Sequence, residues 1–189
     1  MGRLRDRGLL SLILGCLLAS CGGGGGPSPR PTPPVPQGFV AATGRHYAFV
    51  RPRDWRPIQA DAGAPGKVLV GFESSPGPSG LPSQVGIGID PRYPHELRDA
   101  VRLAKDESRI VYPGYRITAE KTFPLDGAQA LRIDAEYASF QDEPRPVRTV
   151  DVLAQTPEGV QLNFFVRGPA EDFDRLGLTS ILDSFRIRG

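Results

Sequence analysis

The sequence predicts an α+β domain, in which one antiparallel β-sheet has two helices packed on it. Three observations predict this class. Several segments alternate apolar and polar residues, which is typical of antiparallel strands with one face on a core and one in water. Two other segments have the spacing of amphipathic helices, and Pro- and Gly-rich stretches separate the segments. With 39% hydrophobic and 23% charged residues, the chain is too apolar to be wholly disordered.

Residues 1–20 have the composition of a secretory signal peptide. A basic segment, residues 2–7, precedes an apolar run at residues 8–20. This run is too short for a helix across a ~30 Å hydrocarbon core, which takes about 20 apolar residues. It matches a signal peptide in length and flanks, so we expect residues 1–20 to be removed.

The signal segment ends in Leu18-Ala19-Ser20-Cys21, which resembles the bacterial lipobox. The resemblance implies cleavage before Cys21 and acylation of its thiol and of the new N-terminus. An ordinary signal peptide that happens to contain a cysteine is the alternative. Because several acyl chains anchor more firmly than one, we expect a protein held on the extracytoplasmic side of a cell membrane through Cys21. Cys16 would be discarded, which leaves no other thiol for catalysis, metal binding or a disulfide.

Residues 21–43 form the predicted tether and residues 44–189 the predicted domain. The glycines of Gly22–Gly26 are flexible, and the Pro-rich stretch at 27–36 favours extended polyproline II. At ~3.1 Å per residue this stretch spans roughly 30 Å. We expect the tether to hold the domain clear of the membrane surface.

The strands are predicted where apolar and polar residues alternate. The clearest segments are 115–123, 131–137 and 160–167, with further strands at 46–50, 67–74, 83–90 and 147–156. We expect the apolar residues of each strand to face the core and the intervening polar residues to face water.

Two helices are predicted, at residues 95–110 and 170–183. In the first, Pro94 suits the initial helical position, and the inward stripe is Leu97, Val101, Ala104 and Ser108. In the second, acidic residues near the start complement the helix dipole, and the stripe is Phe173, Leu176, Ser180 and Ile181.

The resulting order is hairpin, two strands, helix, four strands, helix. Its local motifs are Tyr47-x-Phe49-x-x-Pro52-x-x-Trp55, Leu125-Asp126-Gly127-x-x-Ala130 and Ile181-Leu182-Asp183-Ser184-Phe185. With these motifs the chain resembles the PsbP-like fold, an α/β sandwich also used by LpqN-type and DcrB-type bacterial lipoproteins, over nearly all of 44–189. The resemblance implies a secreted or membrane-anchored accessory or binding protein, generally without enzymatic activity. It implies no site residues, and we predict no cofactor.

The net charge argues against nucleic acid as a partner. Without the signal segment, acidic and basic residues are equal in number, whereas binding to phosphates needs a basic surface. The predicted partners are the membrane, through lipidated Cys21, and an envelope protein or polymer.

A candidate binding surface is predicted on the polar face of the sheet. Strand alternation is expected to bring together Arg116, Glu120, Arg132, Asp134, Glu136, Asn163 and Arg167. The alternative is a solvated face of ion pairs. The Pro/Gly-rich loops at 74–83 and 141–146 could frame such a surface.

Three motifs fall short of a catalytic or metal site. His95-Glu96 lacks a second His four residues later, as zinc proteases require. The segment 172–183 lacks the final Glu of a calcium loop. Gly86-x-Gly88 lies within a strand and forms a shallow strip, where either Trp55 or a ligand is expected to pack.

The predicted function is a membrane-anchored, non-catalytic binding or scaffold module of the cell envelope. Two alternatives from other classes remain at this point: an envelope hydrolase with an unrecognised site, and a small-ligand carrier that uses the Gly86–Gly88 strip.

Overall fold

A computed structural model describes residues 35–58, 68–91, 93 and 95–188. The predicted signal peptide, Cys21, the first part of the tether and Pro94 lie outside the described residues. Within the described ranges, no helix combines the length and apolar character needed to cross a bilayer.

The strands and helices follow one another along the chain in nearly the predicted order. The strands are β1 (Phe39–Thr43), β2 (Tyr47–Pro52), β3 (Arg56–Pro57), β4 (Val68–Glu73), β5 (Gln84–Asp90), β6 (Arg116–Leu125), β7 (Ala128–Ala138), β8 (Pro146–Gln155), β9 (Gln161–Pro169) and β10 (Arg186–Ile187). The helices are α1 (Leu97–Val111), a 3-10 turn (Ala170–Asp172) and α2 (Leu178–Asp183). The predicted α+β class is confirmed.

The strands form two antiparallel sheets instead of one. The large sheet has the order β3-β4-β5-β9-β8-β7-β6, and the small sheet has the order β1-β2-β10. The predicted start of the domain at residue 44 is too late, because β1 pairs with β2 from Phe39↔Pro52 to Thr43↔Ala48. Phe39 and Ala42 also pack against the main core, which fixes this part of the predicted tether to the domain.

The large sheet is covered on both faces. We call the "core face" the side on which Val150, Val152 and Phe164 lie, and this side packs against the small sheet and α2. Ring contacts show the layering: Phe164 stacks on Phe185 at 4.3 Å and lies 5.2 Å from Phe49. The opposite side, the "helix face", is covered by α1.

Helix α1 follows its predicted apolar stripe. Leu97, Val101 and Ala104 pack against a cluster that contains Ile133 and Leu153 of the helix face. Of the helix residues, Ala100 is the buried one, so α1 lies on the sheet as an amphipathic cover with its charged side in water.

The second predicted helix is interrupted. Gly177 adopts a φ of +71°, a left-handed conformation that ends the preceding turn and begins α2. Because of this break, Leu176 is 41% exposed, while Leu178 and Leu182 are buried. The predicted stripe through Leu176 is therefore wrong, and α2 is shorter than the segment 170–183.

The motifs that carry the family resemblance are structural. Tyr47 and Trp55 are buried in the main core. Asp126 and Gly127 have φ values of +48° and +86°, as a two-residue hairpin turn between β6 and β7 requires. The Ser184 Oγ accepts a hydrogen bond from the Val50 backbone N–H at 2.9 Å and thereby joins α2 to the small sheet.

Candidate functional site

The seven residues of the predicted binding surface do not share one face. In the strand register, Arg132 is opposite Val152 and Asp134 is opposite Val150, which places both on the core face. Asn163 is opposite Leu153 and Arg167 is opposite Thr149, which places both on the helix face. The core face thus receives Arg116, Arg132, Asp134 and Glu136, and the helix face receives Glu120, Asn163 and Arg167. The prediction of one continuous polar face is wrong.

Glu120 changes sides because of a β-bulge. The β6–β7 register shifts between Ile117 and Ala119, and one extra residue in a strand turns every later side chain to the other face. Glu120 therefore lies opposite Ile133 on the helix face. Its Oε2 accepts a hydrogen bond from Lys105 Nζ of α1 at 2.6 Å, so it ties the helix to the sheet.

The core-face residues form a closed ion cluster at the edge of the core. Arg132 donates to Asp134 through Nε at 2.7 Å and Nη2 at 2.8 Å. Arg148 adds a contact at 3.4 Å to Asp134 Oδ1 and one at 3.6 Å to Asp174 Oδ2. Burial opposes ionisation of Asp134, but the hydrogen bonds and charges of the two arginines outweigh it, and its pKa lies below the ordinary value. We call this set the "paired cluster".

The remaining core-face pair is more exposed. Arg116 Nη2 lies 2.8 Å from Glu136 Oε2, with side chains 68% and 41% exposed. Such rim pairs contribute little to stability because water and salt screen them. The core-face charges therefore satisfy one another.

A cavity of about 190 Å³ lies between α1 and the helix face. We call it the "α1 cavity". Its origin can be read from the inward stripe of α1, where the larger Leu97 and Val101 give way to the smaller Ala104 and Ser108. The lining residues are Ala104, Glu107, Ser108, Val111, Tyr112, Tyr115, Ile133, Thr149, Asp151, Leu153, Asn163 and Arg167.

The floor of the α1 cavity holds a carboxyl group. Asp151 lies on β8 between Ile133 of β7 and Phe165 of β9. Its Oδ2 accepts a hydrogen bond from Thr149 Oγ1 at 3.0 Å. Burial raises the pKa of Asp151 above its ordinary value, and the Arg167 charge and the Thr149 hydroxyl offset only part of this effect. The carboxylate is therefore held in a setting that opposes its charge.

Arg167 reaches the same cavity from β9. Its Nη1 donates to the Tyr112 hydroxyl at 2.8 Å, and its guanidinium lies 4.2 Å from the centre of the Phe165 ring. The buried Nε of Arg167 and the buried Oδ1 of Asn163 have no hydrogen-bond partner. The protein thus leaves hydrogen-bonding capacity unused around this cavity.

Aromatic rings close one end of the α1 cavity. Tyr112 lies 4.4 Å from Tyr137 and 6.3 Å from Tyr115, between ring centres. Burial raises the pKa of Tyr115 and of Tyr137, so these hydroxyls stay protonated at neutral pH. Phe140 lies 6.2 Å from Tyr112 and is 68% exposed.

The two loops predicted to frame a surface meet beside this aromatic end. Gln141 Nε2 donates to the Gly80 carbonyl at 3.0 Å. Leu81, which follows Gly80, packs in a cluster with Tyr137 and Tyr112. The loops therefore frame the end of the α1 cavity and not the paired cluster.

The Gly86 end of the Gly86–Gly88 strip is occupied by the protein itself. A side chain at Gly86 would meet the ring of Phe165 at 2.6 Å, so Phe165 fills the space. Trp55 is buried in the main core with Val85 and Ile87, whose side chains point away from this strip. The expectation that Trp55 packs on the strip is therefore wrong, and at Gly86 the Phe165 ring leaves no room for a ligand.

The weaker motifs are accounted for by local contacts. His95 packs edge-on against Tyr93 at 5.6 Å. Asp172 Oδ1 is paired with Arg175 at 2.7 Å, and Asp174 accepts a hydrogen bond from Thr179 at 2.6 Å. Within the described residues, no group of three or more His, Cys, Asp or Glu side chains is placed to hold a metal ion.

Sequence reasoning found Asn163 and Arg167 but missed Asp151 and the tyrosines. One signal was available: Asp151 interrupts the apolar run Val150 to Ala154 of β8. A carboxylate between buried strand residues needs a compensating partner or a cavity. Which strand residue lies beside it depends on the register, which the sequence does not state.

The chain has a PsbP-like α+β fold with a polar cavity under its long helix. The sequence matches no protein-family model and no curated protein. Three solved structures are compared with this chain. Cyanobacterial PsbP (CyanoP) from Synechocystis sp. PCC 6803 is similar with a TM-score of 0.59 and 14% sequence identity, and the match covers 90% of this chain and 98% of that chain. LpqN of Mycobacterium tuberculosis has a TM-score of 0.51 and 15% identity, and the match covers 76% of this chain and 83% of LpqN. The Saccharomyces cerevisiae Ran-binding protein Mog1p has a TM-score of 0.50 and 11% identity, and the match covers 79% of this chain and 94% of Mog1p. At these identities the likeness shows the fold alone.

Proposed function

We propose that this protein is a non-catalytic binding module of the bacterial cell envelope, anchored to the membrane through lipidated Cys21. The observation that carries the binding role is the α1 cavity, where Asp151 and Arg167 line a common space and two buried polar atoms of the lining residues have no hydrogen-bond partner. Concave sites with a few fixed polar groups are where small molecules bind in most proteins.

The position of the α1 cavity suits a binding role. Its floor is formed by strands of the large sheet that have a paired strand on each side. Its cover is α1, which contacts the sheet through one stripe of apolar residues. Rigid floor strands hold the charged groups in place, and a helix held by few large side chains can move to admit a ligand. A cavity of similar volume, about 190 Å³, lies beside the paired cluster, but Arg132, which lines it, is already paired with Asp134.

The envelope setting is supported by the lipobox-like Leu18–Cys21 sequence. LpqN, one of the similar structures, is described as involved in cell envelope biogenesis. Mog1p, another, is described as a Ran-binding protein. Neither description names a reaction, in keeping with a module that binds.

The anchoring is tested by replacing Cys21 in the full chain. Cells expressing the wild type or Cys21→Ala are fed radiolabelled palmitate and separated into membrane and soluble fractions. We expect label and membrane location for the wild type and loss of both for Cys21→Ala. The matched control is Cys16→Ala, which should behave as the wild type. Label that persists in Cys21→Ala contradicts the proposed anchor.

A second candidate function, docking of an envelope protein or polymer, is favoured by exposed apolar side chains near the same end of α1. Ile110 is 85% exposed, Val111 54% and Phe140 68%. Clustered exposed apolar residues mark interaction surfaces more often than single ones do. Crosslinking of the lipidated protein in cells tests it: a partner captured by the wild type and lost in Ile110→Ser supports docking, and no reproducible capture argues against it.

A further inference from the structure

We propose that the α1 cavity binds a small zwitterion, a molecule that carries an ammonium and a carboxylate group as a free α-amino acid does. The proposal rests on the proposed function, because it takes the α1 cavity to be the binding site. It is carried by the placement of one carboxyl and one guanidinium group around a single space.

Asp151 and Arg167 attract each other electrostatically but form no salt bridge. Salt bridges within 4.0 Å are found throughout the described residues, but none joins Asp151 to Arg167. The register explains the separation: Asp151 is opposite Phe165, and Arg167 is opposite Thr149. The two side chains are diagonal neighbours, which lie roughly 7–8 Å apart at their bases in a sheet. A dipolar molecule can lie between them with its charges matched at both ends.

A ligand of single charge would fit less well. An anion beside Arg167 would repel the nearby Asp151 carboxylate, and a cation beside Asp151 would repel the nearby Arg167 guanidinium. An unmatched buried charge is strongly unfavourable. The site therefore discriminates by requiring both charges in one molecule.

The unused polar atoms are also of two kinds. Arg167 Nε is a donor and suits a ligand carboxylate, while Asn163 Oδ1 is an acceptor and suits a ligand ammonium. Both atoms are buried, so rotations of the two side chains must turn them toward a ligand. Glu107 at the cavity wall adds a second carboxylate on the side of α1.

The size of the α1 cavity limits the ligand. A volume of about 190 Å³ holds about six waters at roughly 30 Å³ each, which is ample room for a small free amino acid such as alanine or serine. Ala104 and Ser108 form the wall on α1, so a larger ligand side chain must extend past them toward the aromatic end.

Isothermal titration of the detergent-solubilised lipoprotein tests the charge requirement. The probes are glycine, L-alanine and L-serine, with propionate as the analogue without ammonium and ethylamine as the analogue without carboxylate. We expect at least one amino acid to bind at least tenfold more tightly than either analogue. The proposal of a zwitterionic ligand is overturned if propionate or ethylamine binds as tightly as the amino acids. It is also overturned if no amino acid binds.

The same titration of the variant Asp151→Asn tests whether the charge of Asp151 is needed for binding. The side chain keeps its shape and its oxygen facing Thr149, so the fold is expected to remain. Amino-acid binding should weaken at least tenfold, and the preference for L-alanine over propionate should disappear. The matched control is Asp106→Asn, an exposed position on α1, which should bind as the wild type. Unchanged binding by Asp151→Asn overturns the proposal.

The outcomes separate this inference from the proposed function. Binding of propionate in the α1 cavity without any advantage for amino acids leaves a binding module with a different ligand class. The Cys21 anchor is tested by the palmitate experiment and the docking of a partner by crosslinking, and neither experiment involves an amino acid.

Discussion

The paired cluster and the α1 cavity lie on opposite faces of the same strands, and they treat charge in opposite ways. Asp134 and Asp151 are on neighbouring strands β7 and β8, each partly shielded from solvent. Asp134 has Arg132 as a bidentate partner and Arg148 as a second one. Asp151 has one neutral hydroxyl. The charge of Asp134 is thus matched within the protein, whereas the charge of Asp151 would be fully matched only by a ligand in the cavity.

The difference separates a structural role from a binding role. When charges are matched within the protein, the loss of one partner is strongly destabilising, and the matched charges leave little for a ligand. Charges that are held apart reduce stability, which natural proteins tolerate mainly where function requires it. The opposite pKa shifts of Asp134 and Asp151 follow from this contrast.

The largest expected effect comes from breaking the paired cluster. Asp134→Ala leaves Arg132 and Arg148 without their shared acceptor, and we expect the free energy of unfolding to fall by about 2–3 kcal/mol. Urea unfolding at neutral pH measures it. Asp106→Ala, which removes an exposed pair with Arg109, is the control and should change stability by at most about 0.5 kcal/mol. Equal losses in the two variants would contradict the structural role.

In the α1 cavity, removal of an aspartate charge is expected to change the free energy of unfolding in the opposite direction. Asp151→Asn removes a carboxylate whose ionisation is opposed by burial, so the free energy of unfolding at neutral pH should rise by on the order of 1 kcal/mol. The same urea experiment, without added ligand, measures it. A loss of stability would show that Asp151 is a structural partner of Arg167 and would weaken the binding interpretation.

The two aspartates should also act in different pH ranges. The pKa of Asp134 is lowered from 3.8, so its stabilisation is present above 3.8 and is lost as the pH falls through the lower folded-state value. The pKa of Asp151 is raised from 3.8, so stability is highest below 3.8 and declines as the pH rises through the higher folded-state value.

Unfolding of the wild type, Asp134→Asn and Asp151→Asn from about pH 2 to about pH 8 checks these signs. The difference between Asp151→Asn and the wild type should grow above pH 3.8, and that between Asp134→Asn and the wild type should shrink below it. A difference that stays constant with pH in either variant would contradict the assigned cause.

The smallest effect is expected at the rim. Arg116→Gln removes the exposed pair with Glu136, and we expect a loss of about 0.5 kcal/mol at low salt. The loss should disappear at about 1 M salt, where charges are screened over about 3 Å. Thermal unfolding at both salt concentrations measures it. A loss that persists at high salt would place Arg116 within the paired cluster.

Much of the fold could be predicted, because its signals are local. Alternation located β6, β7 and β9, and the apolar stripe located α1. Errors arose where one residue changes the geometry: the bulge after Ile117 moved Glu120 to the other face, and Gly177 divided the second helix. The start of β1 was missed because its pairing partner, β2, gives it most of its order.

The candidate site was predicted only in fragments. Asn163 and Arg167 were named because polar residues in a strand invite attention, but they were grouped with Arg132 and Asp134, which lie on the other face. Alternation shows which residues of one strand share a side. It does not show how that side aligns with the sides of the next strand, because a shift of one residue in register reverses the assignment.

The sequence by itself determined the lipobox-like N-terminus, the class of fold, the long amphipathic helix and the turn at Asp126-Gly127, since each depends on residues adjacent in the chain. Only the tertiary structure decided that Asp134 would be paired and Asp151 left open. That outcome depends on strand register and on the small residues that α1 places over β8. Both are properties of residues distant in sequence, whose contacts exist only once the sheet and the helix have packed together.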